Sequence, residues 1–199
     1  MNSSGVQRIV PIILVLIVIA IAVAALFSLG RSIFGGSDEQ ETIVNTGQES
    51  LINTSMDRSV RLTVRGPIVA DENFHSYRIT ASSTQRNITT YNGYLENQVE
   101  TKDFANNMQA YEEFVFALDR MELMKGSPLE GEANDTRGVC PTGRVYEYEV
   151  MQASNVVKKL WTTTCRGAQG SLDANNQQIL RLFQAQIPEY TDFTRTIKL

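Results

Sequence analysis

The sequence predicts an α+β domain carried behind one N-terminal transmembrane helix: an antiparallel sheet of about five strands with two helices on one face. Three observations support this. An uncharged run, Ile9 to Gly30, lies between Arg8 and Arg31. Segments after residue 57 alternate apolar and polar side chains with the period of a strand. Between and after them, apolar residues recur three or four apart, the spacing of an amphipathic helix. The predicted order is β-β-β-α-β-β-α.

At ~1.5 Å per residue the run 9–30 makes a helix of roughly 33 Å, enough to cross a hydrocarbon core of ~30 Å. Ala22-Val23-Ala24 has the small-x-small form of a signal-peptidase site, which makes a cleaved signal the rival reading. The run continues through Leu26, Phe27 and Leu29, longer than an ordinary signal core of ~7–15 residues. An uncleaved anchor is expected. Pro11 falls in the first turn, where its missing N–H costs nothing.

One Arg stands at each end, so arginine counting does not set the orientation. The cysteines do better. The chain has two, Cys140 and Cys165, both behind the span. An even count suits one disulfide in an oxidising compartment. The expectation is a short cytoplasmic N-terminus (1–8), the span (9–30) and an extracytoplasmic domain in a cell membrane. Residues 31–56 are polar and acidic and read as a flexible linker, in which Ile43-Val44 and Leu51-Ile52 are the apolar pairs able to form a short helix or to lie against the domain.

The domain, 57–199, has the length of one core. Ser59 to Arg65 alternates and stops at Gly66-Pro67, giving a strand and a turn. Phe74 to Thr80 and Asn87 to Tyr94 complete a meander. Phe104, Met108, Tyr111, Phe114, Val115, Leu118 and Met121 form a stripe on a helix predicted from about Lys102 to Leu123. Lys125 to Arg137 reads as a loop. Arg144 to Met151 and Val156 to Thr163 form a second hairpin. A last helix starts near Leu172 or Asp173, carries Ile179, Leu182, Phe183 and Ile187, and ends at Pro188. Glu189 to Leu199 reads as an extended tail.

The residues show little reactive chemistry. If the second hairpin forms, Cys140 and Cys165 meet at its open end and a disulfide is expected. There is no CxxC pair, and neither a metal site nor a cofactor is expected. His75 is the lone histidine and sits on a strand as a surface or edge residue. Ser154 and Ser171 lack a nucleophile-elbow pattern. Glu112 and Glu113 flank the helix stripe. Glu147 and Glu149 share a strand face expected to be wet, with a glycosidase-like pair as the reactive alternative. No catalytic residue is assigned. No glycine run has phosphate-loop spacing, and GSDEQ and GAQGS lack the following lysine. With a net charge of −4 and scattered cations, nucleic acid is not an expected partner. Asn53-Thr54-Ser55, Asn87-Ile88-Thr89 and Asn134-Asp135-Thr136 match the glycosylation acceptor.

The strings RLTVRGPIVADENFHSYRI, NNMQAYEEFVFALDR, GVCPTGRVYEYEV, KKLWTTTCRGAQG and LFQAQIPEY resemble those of small single-pass membrane proteins of Saccharibacteria and similar reduced-genome bacteria. The resemblance covers anchor and domain. It implies a bacterial cell-envelope location and transfers no functional residue. The strand and helix order is also similar to small metalloprotease-inhibitor domains of the emfourin type. The function expected is a membrane-anchored binding or scaffolding domain, its partners the bilayer through 9–30 and another envelope protein. The alternative is an envelope enzyme or protease-inhibitor-like module.

Overall fold

The structure is a computed structural model and describes residues 46–199 apart from 196 and 198. The predicted N-terminus 1–8, span 9–30 and most of the linker therefore lie outside the described residues. Among the described residues no helix is long and apolar enough to cross a membrane.

The domain is α+β. Its elements run α1 (Thr46–Ile52), β1 (Arg58–Arg65), β2 (His75–Ser82), β3 (Gln85–Asn92), β4 (Asn97–Ala105), α2 (Met108–Arg120), β5 (Val145–Gln152), β6 (Asn155–Thr163), α3 (Asn176–Ala185) and α4 (Tyr190–Arg195). The six strands form one sheet in the order β4-β3-β2-β1-β5-β6, and every neighbouring pair is antiparallel. β1 is central, pairing Leu62 with Ile79 on one side and with Tyr148 on the other.

One face of the sheet carries the core. Val60, Leu62, Val64, Tyr77, Ile79, Ile88, Tyr148 and Val150 join Tyr111, Phe114, Val115 and Leu118 of α2 and Ile179 and Phe183 of α3 in a single buried cluster. Phe114 and Phe183 meet edge to face at 5.2 Å, and the period-two and period-four patterns thus serve one interior.

Three expectations change. A sixth strand, β4, occupies 97–105, where the helix was expected to begin near Lys102. Phe104 lies four residues before Met108 and so joined the helical stripe in sequence, yet it sits on β4 opposite Arg86. The helix starts instead at Met108, where the Asn107 side chain accepts from the Ala110 amide. The last helix likewise starts later, capped by Asn175 accepting from the Gln177 and Gln178 amides. The tail holds α4, whose Phe193 enters the core. At the end of the stretch read as linker, Leu51-Ile52 take the expected short helix: α1 lies against α2, β5 and β6 and buries Leu51.

Candidate functional site

Strand alternation places a second set of side chains on the face opposite the core: Arg61, Thr63 and Arg65 from β1, Ser76 and Arg78 from β2, Glu147 and Glu149 from β5, Lys159 and Trp161 from β6. Two neighbouring strands each contribute like charges at alternate positions, and the antiparallel register sets Arg61 opposite Glu149 and Thr63 opposite Glu147. The result is an ion-pair lattice. Arg61 Nε donates to Glu149 Oε2 at 2.6 Å. Glu147 receives Arg65 at 3.3 Å and Lys159 at 3.5 Å, and Arg65 also reaches Glu96, at 2.9 Å. Glu96 in turn meets Arg78 at 3.1 Å, and the Arg78 guanidinium lies over the Tyr91 ring.

Both carboxylates of β5 are buried, Glu147 at 5% and Glu149 at 8% exposure, so the face expected to be wet is closed over them. The cover comes from the arginine stems and from Thr136, whose hydroxyl donates to Glu147. Burial by itself raises the Glu147 carboxyl. The Thr136 hydroxyl, Arg65 and Lys159 outweigh burial and hold the group below the ordinary carboxylate value. Such a carboxylate stays ionised and is poorly placed to give or take a proton near neutral pH.

At the end of this face, three loops build a groove of about 310 Å³. Gly66-Pro67 turns the chain out of β1, and the Ile68 amide then donates to Pro141 O at 2.9 Å, tying the β1–β2 loop to the segment before β5. Phe74 and Tyr94 stack with ring centroids 4.1 Å apart. Tyr94 is fixed by its hydroxyl, which donates to Val69 O at 2.7 Å, and by its amide, which donates to the Asp71 carboxylate at 2.7 Å. Gly93 makes this turn possible: its φ is +72°, and a Cβ would press on the Asp71 carboxylate. Arg65 and Thr136, both members of the lattice, line the groove together with Arg137, Cys140 and Val145. Ile68, Val69 and Leu95 stand exposed at this end of the domain, Leu95 at 87%.

Cys140 and Cys165 are bonded, with Cα atoms 5.4 Å apart. β5 and β6 pair from Val145–Thr163 onward, so the cysteines flank the open end of that hairpin as the spacing predicted. Closing a loop with a sequence separation of 25 is worth ~3–4 kcal/mol on the chain-entropy model.

The other singled-out residues do not converge. His75 opens β2 opposite Asn92, its Nδ1 2.9 Å from Asn73 O. Glu112 accepts from Thr54. Ser171 is buried, and its hydroxyl accepts from the Trp161 amide. Lys158 donates to Met124 O, and burial lowers its pKa. Among the described residues no group of three or more His, Cys, Asp or Glu side chains is arranged to hold a metal. The aromatic pair escaped sequence reasoning because Phe74 and Tyr94 each read as a strand end. The Asn92-Gly93 dipeptide was the available signal for a tight turn that brings them together.

A comparison with protein-family models finds no match, and a comparison with curated proteins finds none either.

Proposed function

We propose that this chain is an extracytoplasmic binding or scaffolding module, held to a bacterial cell membrane by residues 9–30, and that the groove at the loop end takes a segment of another envelope protein. The observation that carries the reading is the groove itself. It is largely apolar, its aromatic wall is hydrogen-bonded in place, and its lining at Cys140 is stapled by the disulfide. A preformed apolar recess costs little to order on binding, and exposed Ile68, Val69 and Leu95 extend it into a surface that water solvates poorly. The membrane location rests on the span and on the resemblance to small single-pass proteins, and the outside location on the disulfide.

An envelope enzyme has less support. Glu147 and Glu149 are engaged by cations, and His75 is not brought to them by any hydrogen bond or ion pair. A protease-inhibitor-like module rested on a strand order that lacks β4.

Affinity capture from intact envelopes with the full-length protein tests the proposal. The wild type should retain a specific envelope protein, and Ile68→Asp with Leu95→Asp should lose it while keeping the wild-type melting temperature. Equal retention by both would remove the groove from the function.

A further inference from the structure

The two edges of the sheet are treated differently. At β6 the segment after the hairpin folds back: the Leu172 amide donates to Trp161 O at 3.0 Å, and the Trp161 amide donates to Ser171 Oγ at 3.0 Å. Gly170 lies so close to Trp161 O that a Cβ would overlap it. At Trp161 that edge is capped. Among the described residues β4, at the other end, pairs only with β3, and eight of its nine residues are exposed. Unpaired strand edges offer rows of N–H and C=O groups to another strand.

The side chains of β4 select the strand. Lys102 pairs with Ile88 on the core face, and Glu100 and Phe104 share that face with it. Thr101 and Asp103 lie on the opposite face. A two-fold axis perpendicular to the sheet and passing through Thr101 sets Glu100 of each copy directly opposite Lys102 of the other. It also sets Thr101 opposite Thr101, at the centre of the regular part of the strand, with the irregularity at Val99 falling opposite Asp103 of the other copy. Axes through Glu100 or Lys102 oppose like charges, and an axis through Asp103 opposes two aspartates. An axis through Val99 leaves half the strand without a partner. Glu100 makes no ion pair among the described residues. Lys102 has only a loose, exposed contact to Glu189 at 4.0 Å besides its position over the Phe193 ring. Thr101 already shows the pairing it would make again: its hydroxyl lies 2.9 Å from that of Thr89 across β3. Opposite charges and threonine pairs are both favourable directly across strands.

We propose that β4 pairs antiparallel with β4 of a second copy about a two-fold axis at Thr101, joining two sheets into one. Because the native cysteines are bonded to each other, a single introduced cysteine is a clean reporter. In the full-length protein in detergent, Thr101→Cys brings two thiols onto Cβ atoms ~5 Å apart. Val99→Cys and Asp103→Cys leave theirs ~14 Å apart. Under mild oxidation the disulfide-linked dimer should form at least several-fold more from Thr101→Cys than from either neighbour. In the Thr101→Cys background, Lys102→Glu should weaken dimerisation about tenfold, and adding Glu100→Lys should restore it. Equal yields at the three positions overturn the proposal. So does a Lys102→Glu chain that dimerises like its parent, or a reversal that the second substitution does not restore.

Discussion

The two faces of the sheet are both buried, but by different physics. On the core face, Leu62, Ile79 and Tyr148 are covered by helices, Phe183 of α3 among the covering side chains, and have next to no exposure. On the other face, Glu147 and Glu149 are equally hidden, yet what hides them is the stems of Arg61, Arg65 and Lys159, each about a quarter exposed. The first face is sealed by packing and tolerates no lost volume. The second is sealed by its own charges, and it holds only while each carboxylate keeps its cations. A strand whose pattern reads as apolar-in, polar-out can therefore be dry on both sides. Side-chain type tells which residues avoid water, and the neighbours in register decide which polar residues can do without it.

The largest effect should come from the packed face. Phe183→Ala removes a ring that touches both Phe114 and Tyr148 and should cost about 3–5 kcal/mol in urea unfolding. A loss under 1 kcal/mol would mean that this face is not sealed by packing. Replacing both cysteines by serine should cost ~3–4 kcal/mol. The loss should loosen the wall of the groove more than the core, read as faster amide exchange in 136–144 than in α2. Glu147→Ala should cost about 2–3 kcal/mol, below the full penalty of a buried pair because Arg65 and Lys159 can turn to water. Glu147→Leu should recover little, since Lys159 loses its counter-charge while Arg65 keeps only Glu96.

Acid separates the faces further. Glu147 has a folded pKa below its ordinary value of 4.5. Its contribution is present in full above the unfolded value and fades as pH falls through the folded one. A pH series should show stability falling below about pH 4.5 by more in the wild type than in Glu147→Gln. Parallel curves would mean that Glu147 is not held ionised by its neighbours. Last, Arg137→Ala should leave the melting temperature at the wild-type value. Its side chain is 90% exposed, and among the described residues its only ion pair is the local one with Asp135.

Much of the fold was legible, because burial on one face leaves a period. The meander, the second hairpin, the α2 stripe and the Cys140–Cys165 bridge all follow from spacing in the chain. β4 was not legible. As an exposed edge strand it buries neither face, so Val99, Thr101 and Asp103 alternate with nothing, and Phe104 fell at a helical distance from Met108. The α4 turn was missed for a related reason: only Phe193 and its neighbours touch the core, too few for a period. The groove was out of reach in principle. Phe74, Tyr94, Thr136 and Cys140 come from three loops, and only the sheet register brings them together.

Binding at the loop end is tested most directly by site-resolved photo-crosslinking in intact cells, with a photoreactive residue at Leu95 beside the groove and, in a second strain, at Phe116 on the helix side. Both positions are exposed, at 87% and 48%. Capture of one discrete envelope protein from Leu95 and not from Phe116, abolished by Ile68→Asp, is the expected result. The same protein captured from both positions, or none from Leu95 in cells that display the domain, would contradict a binding surface there.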